Sequence, residues 1–207
     1  MPTEIFSGLY HWTAVHPNIG SQVSSYYVAP ARAVIDPIEP EEGWDSLPGP
    51  VEAILLTSGH HTRGSAELAG RLRIPIRTSP EAAQRLGDDL AVEVHAPETE
   101  VAPGITSLHI GAISSDEGAF HIAVGPGAIA FADGLIHTGA ELGFVPDQLI
   151  GDEPERVKRE LAHAFRLLVD EREFDHLLFA HGEPVVGDGR AALGVFADAA
   201  PLGDRAA

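Results

Sequence analysis

"LLTSGHHTRGS", residues 55–65, decides how the rest of the chain is read. The apolar run "VEAILLT" (51–57) has the composition of a buried strand. It breaks at Ser58 and Gly59 into two adjacent histidines, His60 and His61. "SAELAGRL" (65–72) then spaces Leu68 and Leu72 four apart with alanine between, as a helix does. A strand that runs into histidines ahead of a helix puts imidazoles at its C-terminal end. Open α/β sheets bind ligands at that edge.

Working outward, "SSYYVA" (24–29) and "ARAVID" (31–36) read as strands around a Pro30 turn, and "PIEPEEGWDSLPGP" (37–50) as a loop. "IPIRT" (74–78) is a short strand. Ser79 and Pro80 open a helix over 79–86, serine as N-cap and proline in the first turn. "AVEVHA" (91–96), "ITSLHI" (105–110), "AFHIAV" (119–124) and "AIAFAD" (128–133) read as successive strands, with "GPG" (125–127) as a hairpin connection. Residues 153–171 carry Val157, Leu161, Phe165 and Leu168 on one helical face. A strand over 176–180, the loop "HGEP" (181–184) and a helix over 189–197 close the chain. This order predicts one α/β domain over 1–207, a four-layer αββα sandwich of two mixed sheets between helices.

Composition bounds the function. A chain of 207 residues with 44% hydrophobic content suits one globular domain. The formal net charge of -18 argues against nucleic-acid and anionic-membrane partners, which need a basic face. With no cysteine, thiolate ligands, cysteine nucleophiles and disulfides are excluded, and any metal must use histidine and carboxylate. The first residues lack the basic start and apolar core of a signal peptide. No run approaches the roughly 18 apolar residues of a membrane span. The expectation is a cytoplasmic protein. Neither a G-x-S-x-G elbow nor a phosphate-loop glycine pattern is present.

These segments resemble, in order, the metallo-β-lactamase fold superfamily. Laid on its T-H-x-H-x-D-H-x-G motif, Thr57 matches and His60 takes the second histidine. Ser58, Thr62 and Arg63 stand where the other three ligands belong, and His61 falls on a variable position. "YYVAPARAVIDP" is similar to the family's early strand pair, with Asp36 at its Asp-Pro turn. In "ISSDEGAFHI" (113–122), Ser115 takes a ligand histidine's place and Gly118 keeps the glycine. "AFADGLI" (130–136) places Asp133 at the metal-bridging aspartate, and "LLFAHGEPV" (177–185) places His181 at the last ligand.

The resemblance implies the fold over nearly the whole chain and a depleted metal site. Serine and threonine are poor substitutes for imidazole and carboxylate, and a fixed cation at Arg63 repels a second ion. His60, Asp133 and His181 remain, a set suited to one zinc, iron or manganese ion at most. The alternative is no metal, with Arg63 paired to Asp133 in the ion's place. His60, His61, Arg63, Ser115, Asp133 and His181 are therefore the cleft candidates. Three readings stay open. One is a metal-free protein binding a small, possibly anionic, molecule. Another is a hydrolase of an ester, thioester or lactone with one metal. The third is a metal-free enzyme with Arg63 as anion anchor. His11 and His16 are candidates for a pocket rim, and His137 for a reach into the site. His95, His109 and His121 read as strand histidines.

Overall fold

In a computed structural model of the protein, which describes residues 1–6 and 8–200, two mixed sheets lie between helices. The first sheet runs in sequence order: β1 (Thr3–Phe6), β2 (Leu9–Val15), β3 (Gln22–Val28), β4 (Ala33–Ile35), β5 (Ala53–Leu55), β6 (Ile76–Thr78) and β7 (Val92–Val94). Its pairs are antiparallel as far as β4 and parallel from β4 to β7. Parallel neighbours need crossovers. Two of these carry α1 (Ser65–Leu72) and α2 (Pro80–Ala83). Ser79 caps α2 as its sequence position predicts, its Oγ accepting from the Ala82 amide at 3.1 Å.

The second sheet starts as an antiparallel meander of β8 (Glu100–Ala102), β9 (Ile105–His109), β10 (Gly118–Ile122) and β11 (Ala128–Phe131). A separate hairpin follows, β12 (Ile136–Thr138) with β13 (Glu141–Gly143). The chain passes through α3 (Asp147–Ile150) and α4 (Pro154–Glu171) and returns as β14 (His176–Phe179), parallel to β11. α5 (Gly189–Ala199) completes the described chain.

Strand alternation builds the layers, because successive side chains point to opposite faces. Val34 and Ile54 face Leu68 and Ala69 of α1, with Trp44 beside them. Their neighbours Ile35 and Leu55 face the second sheet, where they meet Phe120, Ile122 and Leu178. On the second sheet's other side, Ile129, Phe131 and Phe179 pack on Val157, Leu161 and Phe165 of α4 and Leu193 of α5. Three apolar interfaces thus join four layers, as the element order predicts.

Some elements differ from the sequence expectation. "AVEVHA" does not begin the second sheet; its β7 extends the first, paired parallel with β6. β1, β2, β8 and the β12–β13 hairpin are additional. No helix among the described residues is long and apolar enough to cross a membrane.

Candidate metal centre

Three side chains converge at the loop ends of the two sheets. His61 follows β5, Asp133 follows β11 and His181 follows β14. The Asp133 Oδ1 lies 3.3 Å from His61 Nε2 and 3.3 Å from His181 Nε2. One ligand atom from each residue lies within 4.8 Å of the others. Two imidazoles and a carboxylate at this spacing suit a single divalent ion.

Behind His61 stands Asp36, at the end of β4. Its Oδ2 accepts from His61 Nδ1 at 3.0 Å and from the Thr57 hydroxyl at 2.5 Å, while Oδ1 accepts from the Thr57 amide at 2.8 Å. Asp36 and His61 are both buried. An Nδ1–H held this way fixes the ring and, in the neutral imidazole, leaves the Nε2 lone pair facing Asp133. Burial by itself would lower the His61 pKa, but the carboxylates of Asp36 and Asp133 outweigh it and push it up to about 9. Burial would likewise raise Asp133, yet His61 and His181 hold its carboxyl far below the usual range. Without an ion, His61 is therefore an imidazolium between two carboxylates.

The cluster opens onto a cleft of about 760 Å³. His16, Ser58, Ser114 and Glu117 share its wall with Ile19, Val23, Ile113, Ile136, Val145 and Leu149. Burial pushes the Glu117 carboxyl up to about 7. Its volume lies within the usual range for small-molecule sites, about 300–1,000 Å³.

No family model and no curated relative matches this sequence. Solved structures do. The DIM-1 metallo-β-lactamase superimposes with a TM-score of 0.71 at 13% identity, over 97% of this chain and 96% of that one. A metallo-β-lactamase from Pontibacter korlensis gives 0.66 at 17% identity, over 96% and 97%. The flavodiiron protein from Giardia intestinalis gives 0.66 at 13% identity, with this chain spanning 58% of that longer one. The protein has the metallo-β-lactamase fold.

Within this metallo-β-lactamase fold, the sequence-based ligand set requires one exchange. His61, not His60, joins Asp133 and His181. The His61 amide bonds the Ser58 carbonyl at 3.0 Å, closing a four-residue turn. His61 is buried at the cluster, whereas His60 is exposed; it lines the cleft but does not join Asp133 and His181. Ser115 is exposed, and its neighbour Ser114 lines the cleft instead. His16 reaches the cleft wall. His11 is buried, bonded to the Ser24 hydroxyl at 3.0 Å. The His137 Nδ1 is occupied by the Glu183 carbonyl at 2.7 Å.

Arg63 also departs from expectation. It does not pair with Asp133, whose ionic partners among the described residues are His61 and His181. Its Nη1 donates to the carbonyls of Ser24 at 2.5 Å and Asp36 at 2.9 Å, and Nη2 reaches the Ala180 carbonyl at 3.4 Å. One guanidinium thereby ties β3 to the residues that follow β4 and β14, and Asp133 is left to His61 and His181. We predict that Arg63→Ala lowers stability by about 2 kcal/mol, because buried carbonyls lose a charged donor. Arg63→Lys should recover only part, since one ammonium cannot span the same fork. Urea titration of the three proteins checks both. A loss of under about 0.5 kcal/mol, the usual size for surface substitutions, would make the arginine an ordinary surface residue.

Asp36 and Glu117 are site residues that the candidate list omits. Asp36 has a readable signal, an acid at the end of an apolar strand and before proline. Glu117 shows only as part of an acidic pair ahead of β10.

Proposed function

We propose that the protein is a hydrolase with one divalent metal, acting on an ester, thioester or lactone with an apolar substituent. The observation that carries this reading is the convergence of His61 Nε2, Asp133 Oδ1 and His181 Nε2, with His61 oriented by Asp36. A bound zinc, iron or manganese ion would supply an acidified water and a polarised carbonyl. The chain's own part is to hold the three ligand atoms, keep Nε2 of His61 deprotonated in the loaded state, and seat the substrate. Ile19, Val23, Ile113, Ile136, Val145 and Leu149 offer the substituent an apolar wall beside the cluster. The test is elemental analysis of protein purified without chelator or metal-affinity resin, followed by hydrolysis assays on acyl esters of increasing chain length. One ion per chain and a rate that rises with acyl length support the proposal; no ion at any pH refutes it.

A second reading, a metal-free small-molecule binder, draws on a different observation. The Asp36–His61–Asp133 array is charge-compensated without an ion. The same elemental analysis separates the two.

The raised His61 pKa gives a further expectation. A cation binding at Nε2 must displace a proton held up to about pH 9. Metal affinity should therefore rise up to tenfold per pH unit below that value and level off above it, with one proton released. In chelator-treated protein the sign is opposite. The stabilisation from protonated His61 is complete below its ordinary value of 6.5 and is lost as pH climbs through about 9. Melting curves at pH 6, 7.5 and 9 with chelator, repeated on His61→Gln, check this; an equal slope in the variant would assign the pH dependence elsewhere.

A further inference from the structure

The turn that delivers His61 is clamped by a residue from the connection between β9 and β10, Asp116, which is only 3% exposed. Its Oδ2 accepts from the Gly59 amide at 2.9 Å and from the Ser58 hydroxyl at 3.1 Å. Arg85 Nε stands 3.3 Å from the same oxygen. Close by, the Gly118 amide donates to the Thr57 carbonyl at 2.9 Å. Burial would raise the Asp116 carboxyl, but its hydrogen bonds and the Arg85 charge hold it below the usual carboxylate range. The acceptor is therefore ionised at neutral pH, and hydrogen bonds to an ionised acceptor are the strong ones.

The clamp extends along the turn. The Ser58 hydroxyl directs its proton at Asp116 and so presents a lone pair to the His60 amide, which donates to it at 3.2 Å. With the His61 amide on the Ser58 carbonyl, every amide from Gly59 to His61 is engaged. Gly59 makes room for this arrangement. A Cβ there would stand 2.5 Å from Arg85 Cδ and 3.1 Å from the Ala82 carbonyl oxygen. We propose that Asp116 is a positioning residue of the metal centre: it bonds none of the three ligand side chains, yet by fixing the first half of the turn it sets where the His61 ring stands. Asp36 then orients a ring whose backbone Asp116 has already placed. The inference rests on the metal reading above.

Two measurements test it: zinc competition against a fluorescent chelator, and amide hydrogen exchange in chelator-treated protein. Asp116→Ala should lose at least about tenfold in zinc affinity, and Asp116→Asn, which keeps an acceptor for the Gly59 amide, should recover part of that. The Gly59 and His60 amides should exchange at least about tenfold faster in Asp116→Ala, measured against the amides of β11. Leu193→Ala is the control for lost stability alone, because Leu193 is fully buried on α5 and does not line the cleft. It should keep zinc affinity within about twofold and show no selective exchange in the turn. Ser58→Ala removes only the relay to His60; its selective exchange at that amide decides the matter if neither Asp116 variant folds. Unchanged zinc affinity in Asp116→Ala, an equal loss in Leu193→Ala, or turn amides no faster than in the parent protein would overturn the proposal. A parent protein that binds no zinc refutes the metal reading instead, and the exchange measurement then decides by itself whether Asp116 holds the turn.

Discussion

Changing His61 to alanine should cost the protein at least 100-fold in affinity for a divalent metal, while His60→Ala should leave it within about twofold. The two residues are adjacent, so a general effect of the loop on folding would touch both. Only His61 brings a nitrogen to Asp133 and His181, and only His61 is backed by Asp36. Removing it leaves two ligands, both partly exposed. Asp36→Asn should have a milder effect, about 10- to 100-fold, because the ring loses its orientation and basicity but stays in place. Competition against a fluorescent zinc chelator, run on all three variants, gives the comparison. Equal losses for His60→Ala and His61→Ala would contradict the assignment.

Gly182→Ala should be the most destabilising single methyl that the site region can receive. Gly182 follows His181 with φ at +107°, in the left-handed range that residues with a Cβ rarely enter. A Cβ built there would stand 1.9 Å from the carbonyl oxygen of His137, a backbone atom with nowhere to retreat. The His137 amide also donates to the His181 carbonyl at 3.1 Å, and the Ser24 hydroxyl donates to the Gly182 carbonyl at 2.9 Å. The loop is thus pinned from β12 and from β3 where the methyl would push. We expect a loss of about 3 kcal/mol, or roughly 6–12 °C in melting temperature for a chain of this size, with weakened metal binding as His181 shifts. Calorimetry on the variant measures it, and a change under about 2 °C would show that the loop re-forms at little cost.

The layers were readable because alternation and helical spacing are local. "SAELAGRL" is α1 residue for residue, and the face carrying Val157, Leu161, Phe165 and Leu168 is the one buried on the second sheet. β8 (Glu-Val-Ala), β12 (Ile-His-Thr) and β13 (Glu-Leu-Gly) lack the continuous apolar run that marks the equally short β4 and β5, so they left no trace. The placement of β7 depended on which strand it would pair with, and pairing is a property of the assembled sheet. Of the His61–Asp133–His181 cluster, two members were legible and the third was misplaced by one residue. Asp133 and His181 follow strands whose ends the sequence marks. His60 and His61 differ only in which side of a tight turn each occupies, and a motif counted by spacing assumes the turn's course. Arg63 misled for a related reason. Its charge suggested a carboxylate partner, whereas the nearest acceptors are the carbonyls of strand ends that only the fold brings together.

The ligand atoms have an origin that bears on how the molecule holds together. His61 hangs from the first sheet; Asp133 and His181 hang from the second. An ion bound by all three would be a rivet between two slabs that the Arg63 fork and hydrogen bonds from Ser24 to Ala180 and Gly182 and from Tyr26 to Phe179 also join at that edge. Slippage of one slab over the other would break the chelate, so occupancy of the site and the docking of the sheets become a single linked equilibrium. Neither slab by itself carries more than part of the coordination set, so the site exists only once the two have met.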